Sequence, residues 1–443
     1  MKKATNIVAF FIYAILIHIL YICTNKMKVQ DLDSFKQKAL QWANTFDVCC
    51  CYDSNSYPDA YGKFDFLLAV GVKDSINLKY GRAFDSLKHF YNIQKNWMFG
   101  LLSYDLKNEV EKLSSSNADG LNFPDLFFFV PKYLIAVVND EIQILLGEET
   151  LLDHIEKLSI ENSETPAAIN VQSKISRELY IKTVEQLQQH IVRGDIYEVN
   201  FCQEFFAEHA HIDPLNIYNK LKKVSPTPFS GFFKINHQYI LSASPERFLC
   251  KRGNKLITQP IKGTAKRSSD IKEDELIKLN LQNDAKEQAE NVMIVDLVRN
   301  DLTKSAVKGS VIVEELFGIY GFAQVYQMIS TVTCQLAPEI HFIDAIRNAF
   351  PMGSMTGAPK IKAMELIEEY EFSSRGAYSG TFGYITPDGD FDFNVIIRSI
   401  LYQSSSKYLS FQVGGAITYA SNATSEYEEC MLKASAIMQT LEN

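Results

Sequence analysis

The chain has 443 residues, of which 47% are hydrophobic and 22% are charged, and its formal net charge is −9. This length suffices for a large core or for two to three domains, and the composition is that of an ordinary globular protein. Because no basic patch with interleaved aromatic residues is present, nucleic acid is excluded as an expected partner.

The first segment of the chain is apolar. Lys2 and Lys3 precede an apolar run at residues 7–23, which is about the minimum length for a membrane-spanning helix. Residues 1–26 are therefore either a membrane anchor, which would give the protein membrane contact, or the product of a mispredicted start. In the second case, translation begins at Met27. A secretory signal peptide is disfavoured because no Ala-x-Ala cleavage pattern follows.

Eight cysteines are present, and three of them are consecutive at residues 49–51. None has the spacing of a Cys-x-x-Cys pair, so neither a zinc site nor a disulfide framework is expected. Free thiols indicate a reducing compartment. We therefore expect a cytoplasmic protein, with the N-terminal anchor as the open alternative.

Residues 27–160 read as a mixed α and β region. Residues 127–138 are apolar and rich in aromatic and branched side chains, an Asn-Asp pair follows, and residues 142–146 are apolar again. This pattern predicts a β-hairpin. The polar segment at 161–174, which contains Pro166, is the predicted linker to a second domain over residues 175–443.

Hairpin and helix patterns both recur in the second domain. Turn signals such as Gly253-Asn254 and Pro387-Asp388-Gly389 separate apolar runs, as expected for strands joined by tight turns. Predicted helices cover residues 178–192, 286–302, 359–370 and 425–441, and predicted strands cover 196–207, 229–235, 238–243, 248–250, 255–260, 380–386, 391–402 and 408–413. The mixture predicts an α+β fold with largely antiparallel sheets.

Two residues on neighbouring predicted strands offer a nucleophile and a proton donor. Lys262 lies in the sequence Pro-Ile-Lys-Gly-Thr, 16 residues after Glu246 in Ser-Pro-Glu-Arg-Phe. Burial at a strand end would favour the neutral amine of Lys262, the form that attacks carbon. The alternative is a lysine whose ammonium group extends to water.

Paired carboxylates stand on two predicted helices. Glu287 and Glu290 are three residues apart at the start of one helix, and Glu426, Glu429 and Lys433 share a face of the last helix. Two such pairs could hold one Mg²⁺, which keeps several waters and takes few protein ligands. The alternative for each pair is a solvated helix face.

Three further features offer anion-binding groups. The Gly-Gly-Ala sequence of Gly414, Gly415 and Ala416 follows a strand and could expose backbone N–H groups, or it could be an ordinary tight turn. Arg398 lies in an apolar segment, where it needs either an internal or a substrate carboxylate. Tyr378 is either a core residue or a ligand-binding one.

Together these motifs resemble the chorismate-utilising enzymes, which include anthranilate, aminodeoxychorismate, isochorismate and salicylate synthases. The resemblance covers about residues 175–440. The matching segments, in chain order, are Gly194-Asp195-Ile196-Tyr197-Glu198-Val199-Asn200, Ser244-Pro245-Glu246-Arg247-Phe248, Pro260-Ile261-Lys262-Gly263-Thr264, Glu290-Asn291-Val292-Met293-Ile294-Val295-Asp296-Leu297, Gly353-Ser354-Met355-Thr356-Gly357-Ala358-Pro359-Lys360, Arg375-Gly376-Ala377-Tyr378-Ser379-Gly380, Gly414-Gly415-Ala416-Ile417 and Glu426-Tyr427-Glu428-Glu429.

The resemblance implies an α+β fold of two stacked antiparallel sheets flanked by helices. It also implies one Mg²⁺ on the ring carboxylate of chorismate, with Glu290 and Glu429 as direct ligands and Glu287 and Glu426 acting through water. Glu246 matches the general acid that assists departure of the ring 4-hydroxyl. The implied substrate contacts are Tyr378 and Arg398 at the enolpyruvyl carboxylate, backbone N–H groups of Gly414 and Ala416, and Thr264 and Lys433 beside the ring carboxylate.

Within this family, Lys262 indicates the reaction. Aminodeoxychorismate synthases often carry lysine here, where anthranilate synthases carry alanine. The resemblance implies that the lysine attacks ring carbon 2 and that ammonia then adds at carbon 4, giving 4-amino-4-deoxychorismate for 4-aminobenzoate and folate synthesis. A glutaminase motif such as Gly-x-Cys-x-Gly is absent from the sequence, so a glutamine amidotransferase subunit is the expected partner and ammonia source.

Several positions depart from family patterns. Glu198 stands where isochorismate- and salicylate-forming relatives carry a lysine, which weakens those two activities. Gln327 replaces a frequent histidine and Met352 a usual glycine, and a Leu-Leu-Glu-Ser motif typical of tryptophan-inhibited enzymes is missing. The alternatives left open are anthranilate synthase component I and an inactive, membrane-tethered scaffold that binds the amidotransferase.

Overall fold

The computed structural model describes residues 26–27, 29, 31–160 and 169–442. The apolar run at residues 7–23 lies outside these ranges, and so do residues 161–168 of the predicted linker. No helix within the described ranges is both long and apolar enough to cross a membrane.

Eleven α-helices lie in the described ranges, and the four predicted from periodicity are confirmed within two residues at each end. Helix α5 illustrates the signals that set the ends of a helix. The side chain of Ser176 accepts the N–H of Leu179 at the start of α5, and Gly194, in the left-handed conformation, ends this helix. The helices are α1 (Leu32–Asn44), α2 (Ala83–Gln94), α3 (Lys107–Val110), α4 (Thr150–Glu156), α5 (Arg177–Arg193), α6 (Pro214–Val224), α7 (Ile271–Asn283), α8 (Ala285–Thr303), α9 (Phe342–Ala349), α10 (Lys360–Tyr370) and α11 (Ala423–Glu442).

The described strands form one hydrogen-bonded network in which every ladder is antiparallel. The expected α+β class with antiparallel sheets is thereby confirmed. The strands are β1 (Lys26–Met27), β2 (Val48–Asp53), β3 (Phe66–Leu78), β4 (Met98–Leu102), β5 (Leu126–Val138), β6 (Glu141–Leu146), β7 (Gln172–Ser173), β8 (Glu198–Ala207), β9 (Phe229–Ile235), β10 (Gln238–Ser244), β11 (Arg247–Arg252), β12 (Lys255–Gln259), β13 (Ile261–Lys266), β14 (Ile312–Gly321), β15 (Val325–Gln335), β16 (Gly357–Ala358), β17 (Thr381–Ile385), β18 (Phe391–Asn394), β19 (Ser399–Gln403) and β20 (Tyr408–Ile417).

The three consecutive cysteines explain how the sheet separates two hydrophobic cores. Successive side chains of a strand point to opposite faces. In β2, Cys50 packs with Phe233 in one core, whereas Cys49 and Cys51 pack with Phe232 in the other, which lies under α1, α5, α6, α10 and α11. All three thiols are free and fully buried, so they act as small apolar side chains.

Strands from residues 27–160 and from the rest of the chain share this sheet. Strand β2 pairs with β9 through registers such as Cys50 opposite Phe233, and β4 pairs with β17 through Leu102 opposite Thr381. The predicted hairpin at 127–146 is confirmed as β5 and β6, joined by Asn139 and Asp140.

The part of the predicted linker that the structure describes includes strand β7, which pairs with β8, and the N–H of Ile169 donates to the carbonyl of Leu441. One expectation about the strands is wrong. The predicted single strand at 391–402 is broken between β18 and β19, where the N–H of Val395 donates to the carbonyl of Glu246 and Arg398 adopts a φ of +51°. The break exists because this backbone bonds to the loop that carries Glu246.

Candidate active site

Lys262 lies in β13 and is buried. Its ammonium nitrogen is 2.6 Å from a carboxylate oxygen of Glu198, the first residue of β8. The exposed fraction is 9% for Lys262 and 4% for Glu198. The lysine therefore does not extend to water, and its partner comes from a strand that is distant in sequence.

The expectation of a neutral amine is wrong for this state of the protein. Burial lowers the pKa of Lys262, but the negative charge of Glu198, with smaller contributions from Glu290 and Glu246, more than offsets burial and raises this pKa. The lysine is accordingly held as an ammonium ion paired with Glu198. It must lose a proton before its nitrogen can attack carbon.

Glu246 lies in the tight turn between β10 and β11 and is buried, with 5% of its surface exposed. Its N–H and the hydroxyl of Ser244 are 3.3 Å apart. Burial raises the pKa of Glu246 to about 7, although a hydrogen bond with Ser354 and the charge of Lys262 oppose the rise. Below that pH the carboxyl group of Glu246 carries the proton that a general acid must donate.

The first paired carboxylates stand near the start of α8, which Asp284 caps. Glu290 is buried, and burial raises its pKa to about 7. Its Oε1 atom has no hydrogen-bond partner in the described ranges and lies 3.7 Å from the ammonium of Lys286. Glu287 is half-buried, and burial raises its pKa also. The pair is therefore not a solvated helix face.

The second pair stands on α11. Glu426 is buried, whereas the side chain of Glu429 is 51% exposed. Lys433 lies 2.7 Å from Glu429, and its charge lowers the pKa of that carboxylate. The same ammonium donates a 3.0 Å hydrogen bond to the carbonyl of Gly414 in β20.

The two pairs act on each other electrostatically. Burial raises the pKa of both Glu287 and Glu426, and the charge of Glu429 adds to each rise. Burial lowers the pKa of Lys286, but the four carboxylates together more than offset burial and raise it. Lys286 was not singled out from the sequence, because a lysine in the first turn of a helix is usually solvated. Here it offsets part of the repulsion among four acidic groups.

Two glycines lie next to carboxylates of these pairs. A Cβ atom at Gly415 would lie 3.3 Å from Glu426 Oε2 and 3.6 Å from Lys433 Nζ, and one at Gly263 would lie 3.1 Å from Glu287 Oε2. Side chains at these positions would crowd the carboxylates. Because glycine has no side chain, Gly263 and Gly415 leave room beside the acidic groups.

The acidic residues fit a magnesium ion that keeps water ligands. An all-oxygen donor set suits this hard cation, and the unpartnered oxygen of buried Glu290 is available to bind it. Within the described ranges, no three acidic, histidine or cysteine side chains converge closely enough to hold an ion by themselves. Such an ion would depend on water and substrate for its remaining ligands.

Gly414 and Ala416 present backbone N–H groups at an open edge of the sheet. They pair with Cys202 and Asn200 of β8, whose own N–H groups donate elsewhere, to a carboxylate at 2.9 Å and to a loop carbonyl at 2.7 Å. In an antiparallel ladder these are non-hydrogen-bonded pairs, so the N–H groups of Gly414 and Ala416 point away from β8. Gly414, Gly415 and Ala416 thus lie within strand β20, so the alternative of a tight turn is wrong. Lys433 lies at the same edge.

The other predicted contacts are distributed around this edge. Arg398 forms no ion pair with a carboxylate in the described part of the chain, and its nearest acceptor is the carbonyl of Lys433 at 3.5 Å. Burial lowers its pKa, whereas Tyr378 and Glu429 act to raise it. Tyr378 is buried with its hydroxyl 3.3 Å from the sulfur of Cys202, and Thr264 is exposed on β13.

Two buried polar atoms near Glu290 also have no hydrogen-bond partner among the described residues. They are the amide nitrogen of Asn291, which follows Glu290, and the amide oxygen of Gln327 in β15, opposite Thr264. Such atoms are costly unless water or a ligand satisfies them. The sequence shows that Gln327 replaces a frequent histidine, and the structure adds that its amide oxygen is unsatisfied. Met352, the other departure from the family pattern, is a buried residue.

The chain is similar to known proteins over most of its length. The family model described as chorismate binding enzyme matches residues 49–439. The chain is 35% identical to aminodeoxychorismate synthase component 1 of Escherichia coli, over 77% of this chain and 76% of that protein. It is 32% identical to anthranilate synthase component 1 of Thermus thermophilus, over 84% of each.

Solved structures show the same fold. Anthranilate synthase component I of Streptococcus pneumoniae superposes with a TM-score of 0.75 at 25% identity, covering 86% of this chain and 93% of that one. The menaquinone-specific isochorismate synthase of Escherichia coli superposes with a TM-score of 0.74 at 16% identity, covering 94% and 93%. In sequence and in fold, over most of its length, the chain belongs to the family of chorismate-binding enzymes.

Proposed function

We propose that this protein is the aminating subunit of an aminodeoxychorismate synthase, a transferase that converts chorismate and ammonia to 4-amino-4-deoxychorismate for 4-aminobenzoate and folate synthesis. The observation that carries the proposal is the buried Lys262, held beside Glu198 and within the electrostatic influence of Glu246. Anthranilate-forming relatives lack this amine, so its position in the site favours covalent chemistry at the ring.

The proposed reaction balances in two displacements. The neutral amine of Lys262 bonds to ring carbon 2, both ring double bonds shift, and the bond from carbon 4 to its hydroxyl breaks as Glu246 gives the departing group a proton. Ammonia then bonds to carbon 4, the double bonds shift back, the lysine amine leaves carbon 2, and the new ammonium group at carbon 4 returns a proton to Glu246. The net change is replacement of hydroxyl by amine with release of water.

Glu290 and Glu429 are the proposed direct ligands of Mg²⁺, with Glu287 and Glu426 acting through water. When bound, the ion would neutralise and orient the ring carboxylate. The unpartnered oxygen of Glu290 supports this assignment.

Cationic and backbone donors are proposed to hold the two carboxylates of chorismate. Arg398, which has no carboxylate partner in the described ranges, would bind the enolpyruvyl carboxylate together with Tyr378, since a guanidinium can donate to both oxygens. The open N–H groups of Gly414 and Ala416 would add backbone donors, and Thr264 and Lys433 would lie by the ring carboxylate and the metal.

A separate glutamine amidotransferase is the proposed source of ammonia. Two observations support it, namely the absence of a glutaminase nucleophile motif from the sequence and the word component in the names of the bacterial relatives. Free ammonium should replace the partner in vitro.

Anthranilate synthesis is the second candidate, because anthranilate synthases match this chain at 32% to 34% identity. Incubating the protein with chorismate, magnesium and ammonium separates the two. We expect 4-aminobenzoate only after a 4-amino-4-deoxychorismate lyase is added, whereas fluorescent anthranilate formed directly would overturn the proposal. Absence of any magnesium-dependent chorismate consumption would favour an inactive scaffold.

A further inference from the structure

In the described part of the chain, the carboxylate of Glu198 has one hydrogen-bond partner, the ammonium group of Lys262, at 2.6 Å. Its backbone is clamped, because Ala358 pairs with it in β16 and a Cβ at Gly357 would lie 2.2 Å from its carbonyl oxygen. A buried, immobile carboxylate and a buried ammonium thus share one hydrogen bond.

The acidic groups that act on Lys262 stand on four elements. They are Glu198 on β8, Glu246 in the turn before β11, Glu287 and Glu290 on α8, and Glu429 on α11. Glu246 is assigned to donate a proton to the leaving hydroxyl, and the three carboxylates on the helices are assigned to the metal. Glu198 is the one of the five that remains free to accept a proton, and it already touches the ammonium.

Resting on the proposed function, we propose that Glu198 is the general base for Lys262. It takes the proton that Lys262 must lose before attack and returns it when the lysine amine is expelled. The ammonium and carboxylate become amine and carboxylic acid by movement of one proton along the existing hydrogen bond. After ammonia has displaced the amine from carbon 2, the same proton moves back. No external base is needed in the cycle.

The inference is tested on the covalent step alone. Full-length protein is mixed with chorismate and magnesium without ammonium, and the Lys262 adduct, chorismate less water, is followed by quench and intact-mass measurement from pH 6 to pH 9. Glu198→Gln keeps the size and polarity of the side chain but accepts no proton. Glu204→Gln is the matched control, because Glu204 is another buried glutamate of β8 that bonds to Tyr408 away from the site.

We expect E198Q to form the adduct about 10²-fold more slowly at pH 7, with a rate that rises as hydroxide replaces the internal base. Glu198→Asp should recover part of the rate, chorismate affinity should change little, and E204Q should match the wild type. Removing the carboxylate also leaves burial, which lowers the pKa of Lys262, opposed mainly by the weaker influence of Glu290 and Glu246. An E198Q adduct rate equal to or above that of the wild type would therefore overturn the inference.

The same incubation, repeated with ammonium and a coupled lyase, separates this inference from the proposed function. A wild-type protein that forms neither adduct nor 4-amino-4-deoxychorismate would remove both. A wild-type protein that forms both, with an unimpaired E198Q variant, would remove only the role of Glu198. A folded E198Q, verified by an unchanged thermal unfolding midpoint with E204Q alongside, excludes loss of structure as the cause of a slower rate.

Discussion

The ammonium of Lys262 and the carboxylate of Glu198 lie 2.6 Å apart, although their strands β13 and β8 do not pair with each other in the described sheet. The contact joins the part of the sheet next to α8 with the part next to α11. The amine lies within the electrostatic influence of Glu290 and Glu429, one carboxylate from each pair, and the contact with Glu198 favours the ammonium form.

Lys262→Ala should lower 4-amino-4-deoxychorismate formation from free ammonium by about two orders of magnitude or more, because the covalent route is lost. Lys262→Arg should be similarly impaired, since guanidinium keeps the charge but does not act as a nucleophile. Steady-state rates with a coupled lyase measure both variants. Full activity of the alanine variant would show that ammonia displaces the hydroxyl directly.

The activity should fall as the pH rises through about 7. The pKa of Glu246 is raised to about 7, so the proton-donating form is present below that pH and is lost above it. The pH profile of kcat/KM for chorismate, which reports the free enzyme, measures this limb. Glu246→Gln should lower the rate about 10²- to 10⁴-fold; a rate of the wild type that keeps rising above pH 7 would contradict the assignment.

Glu290→Gln and Glu429→Gln should weaken magnesium binding. In the wild type, magnesium and chorismate together should raise the thermal unfolding midpoint, because a bound ligand stabilises the native state. Both variants should need more magnesium for the same shift. Glu428→Gln is the control, because it changes an exposed glutamate of α11 next to Glu429; it should behave as the wild type. An unaltered magnesium titration in E290Q would remove Glu290 as a ligand.

Arg398→Gln should raise the KM for chorismate about 10- to 100-fold, since a hydrogen bond to a charged group contributes about 1.5–3 kcal/mol. Arg398→Lys should recover little, because lysine lacks the two-pronged geometry of arginine. Initial rates over a range of chorismate concentrations give the values. Arg299→Lys, at an exposed position on α8, is the control, and an unchanged KM in R398Q would contradict the binding role.

Gly414→Ala should lower the free energy of unfolding by about 3 kcal/mol. A Cβ atom at this glycine would lie 1.9 Å from the carbonyl oxygen of Phe201, which is backbone and cannot move aside easily, whereas one at Gly415 meets nothing closer than 3.3 Å. Urea unfolding of both variants measures the difference. Equal stability of G414A and G415A would show that β8 and β20 can separate at this point.

Local patterns were sufficient to predict much of the fold. The hairpin at 127–146 and helices α5, α8, α10 and α11 follow from periodicity and turn residues within short stretches of chain. The segment containing Arg398 was predicted as strand because it is equally apolar. Its backbone instead bonds to the Glu246 loop, a long-range contact that a local pattern does not contain.

The site was predictable to the extent that its residues lie in contiguous motifs. The burial of Lys262 agrees with the expectation from sequence, and both carboxylate pairs stand on helices that periodicity predicted. The protonation state of Lys262 was not predicted, because its partner Glu198 is 64 residues away in the chain. A charge that arrives from a distant strand decides whether burial favours the neutral or the charged form.

The ladders that join β2 to β9 and β4 to β17 have a practical consequence. A chain cut between residues 161 and 168 would yield two fragments that each lack neighbours for a central strand. Such fragments should remain associated without a covalent link and should reassemble when coexpressed, while neither should be obtained alone as a well-behaved protein. Engineering that treats the two halves as exchangeable modules should fail for the same reason.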